Sequence, residues 1–227
     1  MKQSIAFAFC MALVLAVSSF GQKNVGKAAD RANQASKVLN EIMKEDNTAI
    51  PNNLLQKAKA IVVFPGTVKA GFIFGGQGGH GVAVRRMGNS WSAPAFLKMA
   101  GGSVGFQIGA EKTDYILLVM NDGGLNGLLE DKFEVGGEGS VAAGPVGRTA
   151  AASTNATLDA EILSWSRSKG AFAGLSLKGV VISPDNDLNN SVLKKNAKEI
   201  LGSPGVDWSS APKQLQGFPK TVAMHTK

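Results

Sequence analysis

Gly76-Gln77-Gly78-Gly79-His80-Gly81-Val82-Ala83-Val84-Arg85-Arg86 begins with the spacing G-x-G-x-x-G. In a dinucleotide-binding fold such a loop opens a helix whose N-terminus takes a pyrophosphate. Here residues 81–86 read as a strand, so the glycines read as a glycine-rich hairpin. The same pattern extends in both directions. Residues 61–64, 68–74, 102–110, 114–120, 132–142, 161–166 and 171–182 also read as strands, most of them alternating apolar with small or polar residues. Pro65-Gly66 is expected to stop the first. Of the 28 glycines, 23 lie between 66 and 179, and glycine inside strands marks bulges, tight bends or close backbone approach. The expected fold class is α+β. A strongly curved, glycine-rich antiparallel β-sheet, barrel- or sandwich-like, carries N-terminal and C-terminal helices in a single domain.

Helices flank this sheet. Val25, Ala28, Ala32, Ala35, Leu39 and Ile42 recur at steps of three and four, which predicts a helix over 24–46. Its apolar side is mostly alanine, so it either packs closely on a neighbour or lies lightly on a membrane surface. Pro51 suits the first position of a short helix through residue 60, with Asn47 or Thr48 near its cap. Residues 125–129 read as a short helix between strands. Residues 184–201 read as a helix with Ser183 as cap and Pro184 at its first position. The expected division is a helical arm over 24–60, a β core over 61–182, and a C-terminal helix and tail over 183–227.

The first residues have a targeting pattern. Lys2 precedes an apolar run over 5–17, and Ser19 and Gly21 offer small residues at a cleavage site, so 1–21 reads as a signal peptide. The run is about 13 residues, short of the ~20 that span a bilayer. The expected location is the periplasm or cell envelope. Cys10 is the only cysteine, so a disulfide scaffold is excluded. With His80 and His225 as the only histidines, a Cys/His metal site is not expected. Hydrophobic residues at 44% and charged residues at 18% argue against disorder. The glycine content argues against a helical bundle. A formal charge of +7 favours anionic partners without naming one. One tyrosine and long terminal helices do not fit an outer-membrane barrel with aromatic girdles. The basic residues are scattered rather than set in a stripe with interleaved aromatics, so no nucleic acid is expected.

Three further motifs fail on context. Gly101-Gly102-Ser103-Val104-Gly105 has the G-x-S-x-G spacing, but an alternating strand follows it where a nucleophile elbow needs a helix. Ser166-Arg167-Ser168-Lys169 has the S-x-x-K spacing, without the companion S-D-N and K-T-G motifs. Asp185-Asn186-Asp187-Leu188-Asn189 opens like a calcium loop, but Asn190 replaces the sixth-position glycine and Asn196 the twelfth-position glutamate. It reads instead as a helix cap with solvated acids. No carboxylates pair as an acid/base couple, so no enzyme, catalytic residue, cofactor or metal is expected. A serine hydrolase using Ser103 or Ser166 stays as a distant alternative.

A set of phrases carries a resemblance. They are Ala58-Lys59-Ala60-Ile61-Val62-Val63-Phe64-Pro65, the glycine run over 71–81, Trp91-Ser92-Ala93-Pro94-Ala95-Phe96, residues 101–109, Gly144-Pro145-Val146-Gly147-Arg148, and above all Ser164-Trp165-Ser166-Arg167-Ser168-Lys169-Gly170-Ala171-Phe172-Ala173-Gly174-Leu175-Ser176-Leu177-Lys178-Gly179. Together they resemble the SYLF domain family, found in actin-regulating endocytic proteins and in exported bacterial proteins, over roughly 24–201. Trp165 stands where tyrosine is usual and Ala171 where leucine is usual. The resemblance implies lipid binding, especially to phosphoinositides, with an amphipathic N-terminal helix helping membrane contact. For an exported bacterial protein it implies anionic phospholipids or lipid A phosphates rather than actin. The lipid-binding candidates are Lys27 and Arg31 on the helix, and Arg148, Arg167, Lys169 and Lys178 inside the motif phrases. The competing reading is that Arg148 or Arg167 pairs with a carboxylate such as Asp114 or Glu161. Arg85 and Arg86 are adjacent, so a strand would split them between faces. The alternative function is an envelope scaffold whose sheet serves a protein partner.

Overall fold

Ten strands, among the described residues, form one sheet in the order β6-β10-β4-β2-β1-β5-β8-β7, with β3 added to β2 and β9 to β8. The computed structural model describes residues 2–44, 49–71, 74–104, 109–136, 141–147, 160–168, 171–174, 177 and 179–227. The strands are β1 (Ala60–Gly71), β2 (Phe74–Met87), β3 (Ser90–Trp91), β4 (Ala95–Val104), β5 (Gly109–Val119), β6 (Phe133–Val135), β7 (Val141–Ala143), β8 (Ile162–Ser168), β9 (Ala171–Gly174) and β10 (Val180–Pro184). Every pairing is antiparallel except β7 with β8. The sequence predicts one strand over 132–142. Instead its two halves, β6 and β7, sit at opposite ends of the strand order. That split forces the curvature. A flat run of eight strands is about 34 Å wide, but the chain from Val135 to Val141 can reach only about 20 Å. The sheet therefore curls until its ends approach, and the α+β expectation stands.

β1 runs through Pro65-Gly66 rather than stopping there. Its register shifts between Val63 and Val68 against β2, and between Phe64 and Thr67 against β5. Gly66 takes φ +58 and donates its N–H to Asp114 Oδ1 at 2.7 Å. A bulge lifts the proline out of the ladder, so its missing donor is not needed. The glycines of 76–81 lie inside a strand, β2, which is one arm of a hairpin with β1 and sets Gly76 opposite Ala70 and Gly78 opposite Val68. A Cβ on Gly81 would stand 2.5 Å from the Phe64 ring. These glycines make room for a neighbour rather than a turn. The expected strand over 171–182 likewise divides, into β9 on β8 and β10 between β4 and β6.

The helices are α1 (Lys2–Lys44), α2 (Asn52–Lys57), α3 (Asp122–Leu128), α4 (Asn186–Leu193), α5 (Ala197–Leu201) and α6 (Gly217–His225). Among the described residues no helix is long and apolar enough to cross a membrane. α1 packs on α6, α4 and the β1–β2 region. Ala28, Ala32, Ala35, Leu39 and Ile42 are fully buried there, so the apolar stripe of the arm faces the core. β1 residues 60–64 and β5 residues 115–119 are buried on both faces, as expected where helices cover one side and the curl encloses the other.

α4 starts two residues later than the sequence suggests. Pro184 ends β10, and Asp185 occupies the cap position. The helix then breaks at Lys194, whose φ is +56, and α5 restarts behind an Asn196–Glu199 capping box. α3 starts earlier than expected because the Asn121 side chain accepts from the Gly124 N–H, which caps a helix whose first turn is glycine-rich.

Candidate functional site

The site is assembled where α1 crosses the β2–β4 pair beside the β10–α4 junction. His80 and Lys98 are register partners on β2 and β4, so their side chains lie side by side on one face. Asn189 pins α4 against β4. Its Oδ1 accepts from the Phe96 N–H at 2.7 Å and its Nδ2 donates to the Phe96 carbonyl at 3.0 Å. The Asp185 N–H donates to the same carbonyl. This fixes the Asp185 carboxylate beneath α1. Arg31 Nη1 donates to Asp185 Oδ2 at 2.8 Å, and Lys98 Nζ lies 3.1 Å from Oδ1. Each oxygen of the buried carboxylate thus has one cation.

Asp185 is therefore not a solvated cap acid. Burial opposes its ionisation, but the hydrogen bonds and charges of Arg31 and Lys98 outweigh that and hold its carboxyl below the usual carboxylate range. Arg31 is buried as well, and its Nη2 has no hydrogen-bond partner. An unsatisfied guanidinium nitrogen in a buried position is costly, and here it lies behind the cleft wall rather than in its lining. In front of the pair lies a cleft of about 250 Å³ lined by Asn24, Lys27, His80, Lys98, Asp185, Asp187 and Leu188. Lys27 is one turn before Arg31 and exposed. His80 is pushed down from its ordinary value by burial and by Arg31, Lys27 and Lys98, with Asp185 acting in the opposite sense. The lining itself holds two cations, Lys27 and Lys98, and two carboxylates, Asp185 and Asp187, and Arg31 adds a third positive charge behind it.

A larger cavity, about 600 Å³, lies at Asn126, Glu130, Asp131, Asn186, Asn196 and Lys198. Two of its amides are already used. Asn196 caps α5, and Asn186 Oδ1 accepts from the Ala197 N–H. It has no excess of cations.

The other described arginines, Arg85, Arg86 and Arg167, are also hydrogen-bonded within the fold. Arg167, on β8, donates through Nε to Asp114 Oδ2 at 2.8 Å and through Nη2 to the same oxygen, and its Nη1 contacts Glu41 Oε2. Burial lowers its pKa, but these carboxylates more than compensate and raise it. Of the two readings for Arg167, pairing with Asp114 is what the structure shows. Arg85 and Arg86 do diverge. Arg85 Nη1 donates to the Leu201 carbonyl at the end of α5, and Arg86 donates to the Ala58 and Leu55 carbonyls at the end of α2, satisfying helix C-termini.

Of the six residues predicted to bind lipid, Lys27 and Arg31 come together at the cleft. Arg167 lies apart, on β8, separated from β2 by β5 and β1. Arg148, Lys169 and Lys178 lie outside the described residues. His80, Lys98 and Asp185 were not singled out from sequence. His80 sat in the glycine motif and Asp185 in the calcium-like loop, so both drew attention for another chemistry. Among the described residues, no three of His, Cys, Asp and Glu gather into a metal-binding group.

The family described as Las17-binding protein actin regulator, Ysc84, matches residues 100–222. The chain belongs to this family. The matched segment runs from β4 to α6 and holds Asp185, Asp187 and Arg167. LAS seventeen-binding protein 3 of Saccharomyces cerevisiae is 35% identical over 179 residues, covering 74% of this chain and 39% of the relative. Protein YSC84 of the same yeast is 34% identical over 172 residues, covering 72% and 36%. The human SH3 domain-containing YSC84-like protein 1 is 30% identical over 165 residues, covering 70% and 48%. The chain thus spans less than half the length of each of these relatives.

Proposed function

We propose that this Ysc84-family chain is a lipid-binding module that takes the phosphate of an anionic head group into the Lys27–His80–Lys98 cleft. The observation that carries this is the cleft lined by Lys27, His80 and Lys98 in front of the buried Arg31–Asp185 pair. The N-terminal helix contributes through its polar face, because its apolar stripe is occupied by the core. Each lysine or arginine near an anionic surface is worth about 1 kcal/mol and is screened within a Debye length of about 8–10 Å. We read the chain as a binding protein and not an enzyme, and residues 1–21 as an export signal that places it in the periplasm or cell envelope.

The test is co-sedimentation with phosphatidylglycerol-containing and pure phosphatidylcholine vesicles at low and high salt. Binding confined to the anionic vesicles, lost at high salt and lost in Lys27→Glu/Lys98→Glu, is the expected result. Equal sedimentation with both vesicles, or none with either, overturns it. Export predicts an intact mass lacking 1–21 after expression in a secreting host.

A second reading has its own support. Relatives are named for binding Las17 or as actin regulators, which favours a protein partner. Failure of the vesicle assay, with capture of a defined partner that competes at Lys27, would select it.

A further inference from the structure

The cleft is not lined by cations alone. Asp187 stands in its wall, in the first turn of α4, exposed and without an ion pair among the described residues. Asp185, deeper in the cleft, has both oxygens occupied by Arg31 and Lys98. Lys27 also makes no ion pair among the described residues. The opening therefore presents a free ammonium and a free carboxylate, with His80 and Lys98 beside them in the lining. A site meant only for a polyanion would gain nothing from an uncompensated acid at its mouth, because like charge opposes entry. A volume of about 250 Å³ is below the roughly 300–1,000 Å³ of sites for drug-sized ligands. It suits a small polar group.

We propose that the cleft recognises a head group carrying both a phosphate and a primary ammonium, phosphoethanolamine in chemical class, with Asp187 as the residue that selects the amine. The phosphate oxygens take Lys27 and Lys98, the two cations of the lining. The ammonium donates to the Asp187 carboxylate. A quaternary ammonium such as choline has no N–H to donate, so it loses that contact. This inference rests on the head-group reading above and adds selectivity to it. The reading that opposes it is that Asp187 merely favours the N-terminus of α4 through the helix dipole.

Two arms separate the sources of the ligand. In the first, the full chain is titrated with soluble O-phosphoethanolamine, phosphocholine and glycerol 3-phosphate, followed by chemical shifts of His80 and the backbone around it. In the second, vesicles hold phosphatidylglycerol at constant fraction, with the remainder either phosphatidylethanolamine or phosphatidylcholine. The expected result is about two- to fivefold tighter binding to the primary amine, in keeping with one partly exposed ion pair. Asp187→Asn should abolish that preference while binding to glycerol 3-phosphate and phosphatidylglycerol is retained or strengthened, because a like charge is removed from the opening. A soluble effect without a vesicle effect identifies a free phosphoamine as ligand; a vesicle effect identifies the lipid. If the phosphates bind but the amine adds nothing, or if Asp187→Asn changes thermal stability and leaves the preference intact, the amine proposal fails alone. If no phosphate binds at all, the head-group reading itself fails.

Discussion

Two arginines tie α1 to the rest of the fold, and they end up in different chemical states. Arg31 projects from α1 to the buried Asp185 at the β10–α4 junction. Arg167 projects from β8 to Glu41 on α1 and Asp114 on β5. Arg167 has two carboxylates for one guanidinium, and the ring of Phe172 lies 5.0 Å away. Arg31 shares one carboxylate with Lys98 and keeps a nitrogen free. Both look alike in a list of basic residues. Only the count of partners tells a fully paired guanidinium from one that keeps a buried nitrogen unpaired.

The sharpest way to probe this difference is to delete each arginine in turn. Arg31→Met leaves Asp185 buried with Lys98 as its remaining cation, and should cost about 3–5 kcal/mol in urea unfolding. Adding Asp185→Asn should return part of that loss. A loss below about 1 kcal/mol would mean that the pair is not buried as described. Arg167→Met should cost less, about 1–3 kcal/mol, because its site is partly open to water. In a double-mutant cycle Arg167 should couple to both Asp114 and Glu41. Coupling to neither would dissolve the contrast.

Acid titration separates the two sites next. Asp185 has a depressed pKa in the folded state, so its contribution to stability is present above the ordinary carboxylate value of 3.8 and is lost as pH falls through the lower folded value. Asp185→Asn should flatten the stability profile in that acid window. His80 is a base with a lowered folded pKa, so the unfolded chain takes the proton first. Stability should fall as pH drops from 6.5 toward the lowered value, and His80→Gln should remove that slope. The smallest stability effect is expected at Lys27, where Lys27→Glu should move unfolding by no more than about 0.5 kcal/mol. The same change should sharply weaken binding to anionic vesicles. A large stability change with intact vesicle binding would reverse the assignment of Lys27.

Much of the fold was legible locally. The alternation and glycine density pointed to a curved antiparallel sheet, and the steps of three and four from Val25 to Ile42 pointed to α1. Local signals failed where long-range partners decided. Pro65-Gly66 looks like a strand end, but the ladders on both sides of β1 carry it through as a bulge. Residues 132–142 look like one strand, but their halves pair with β10 and β8. The hairpin read from the glycines of 76–81 is there, but only the fold shows that Gly79 and Gly81 make room for Thr67 and Phe64. In the site, Lys27 and Arg31 were legible through the family resemblance, as basic residues of the N-terminal helix. Lys98 and Asp185 were not, because a separation of 154 positions between Arg31 and Asp185 leaves no local trace.

The sequence by itself determined the secondary-structure types, the curved sheet class and the Ysc84 family, since these follow from periodicity, backbone permissiveness and ordered motif phrases. The tertiary structure alone decided which cations are spent and which remain. That outcome depends on carboxylates and carbonyls delivered from distant segments: Asp185 to Arg31, Asp114 and Glu41 to Arg167, and the ends of α2 and α5 to Arg86 and Arg85. A charge written in a sequence has no partner until the chain folds, and its chemistry is set by that partner.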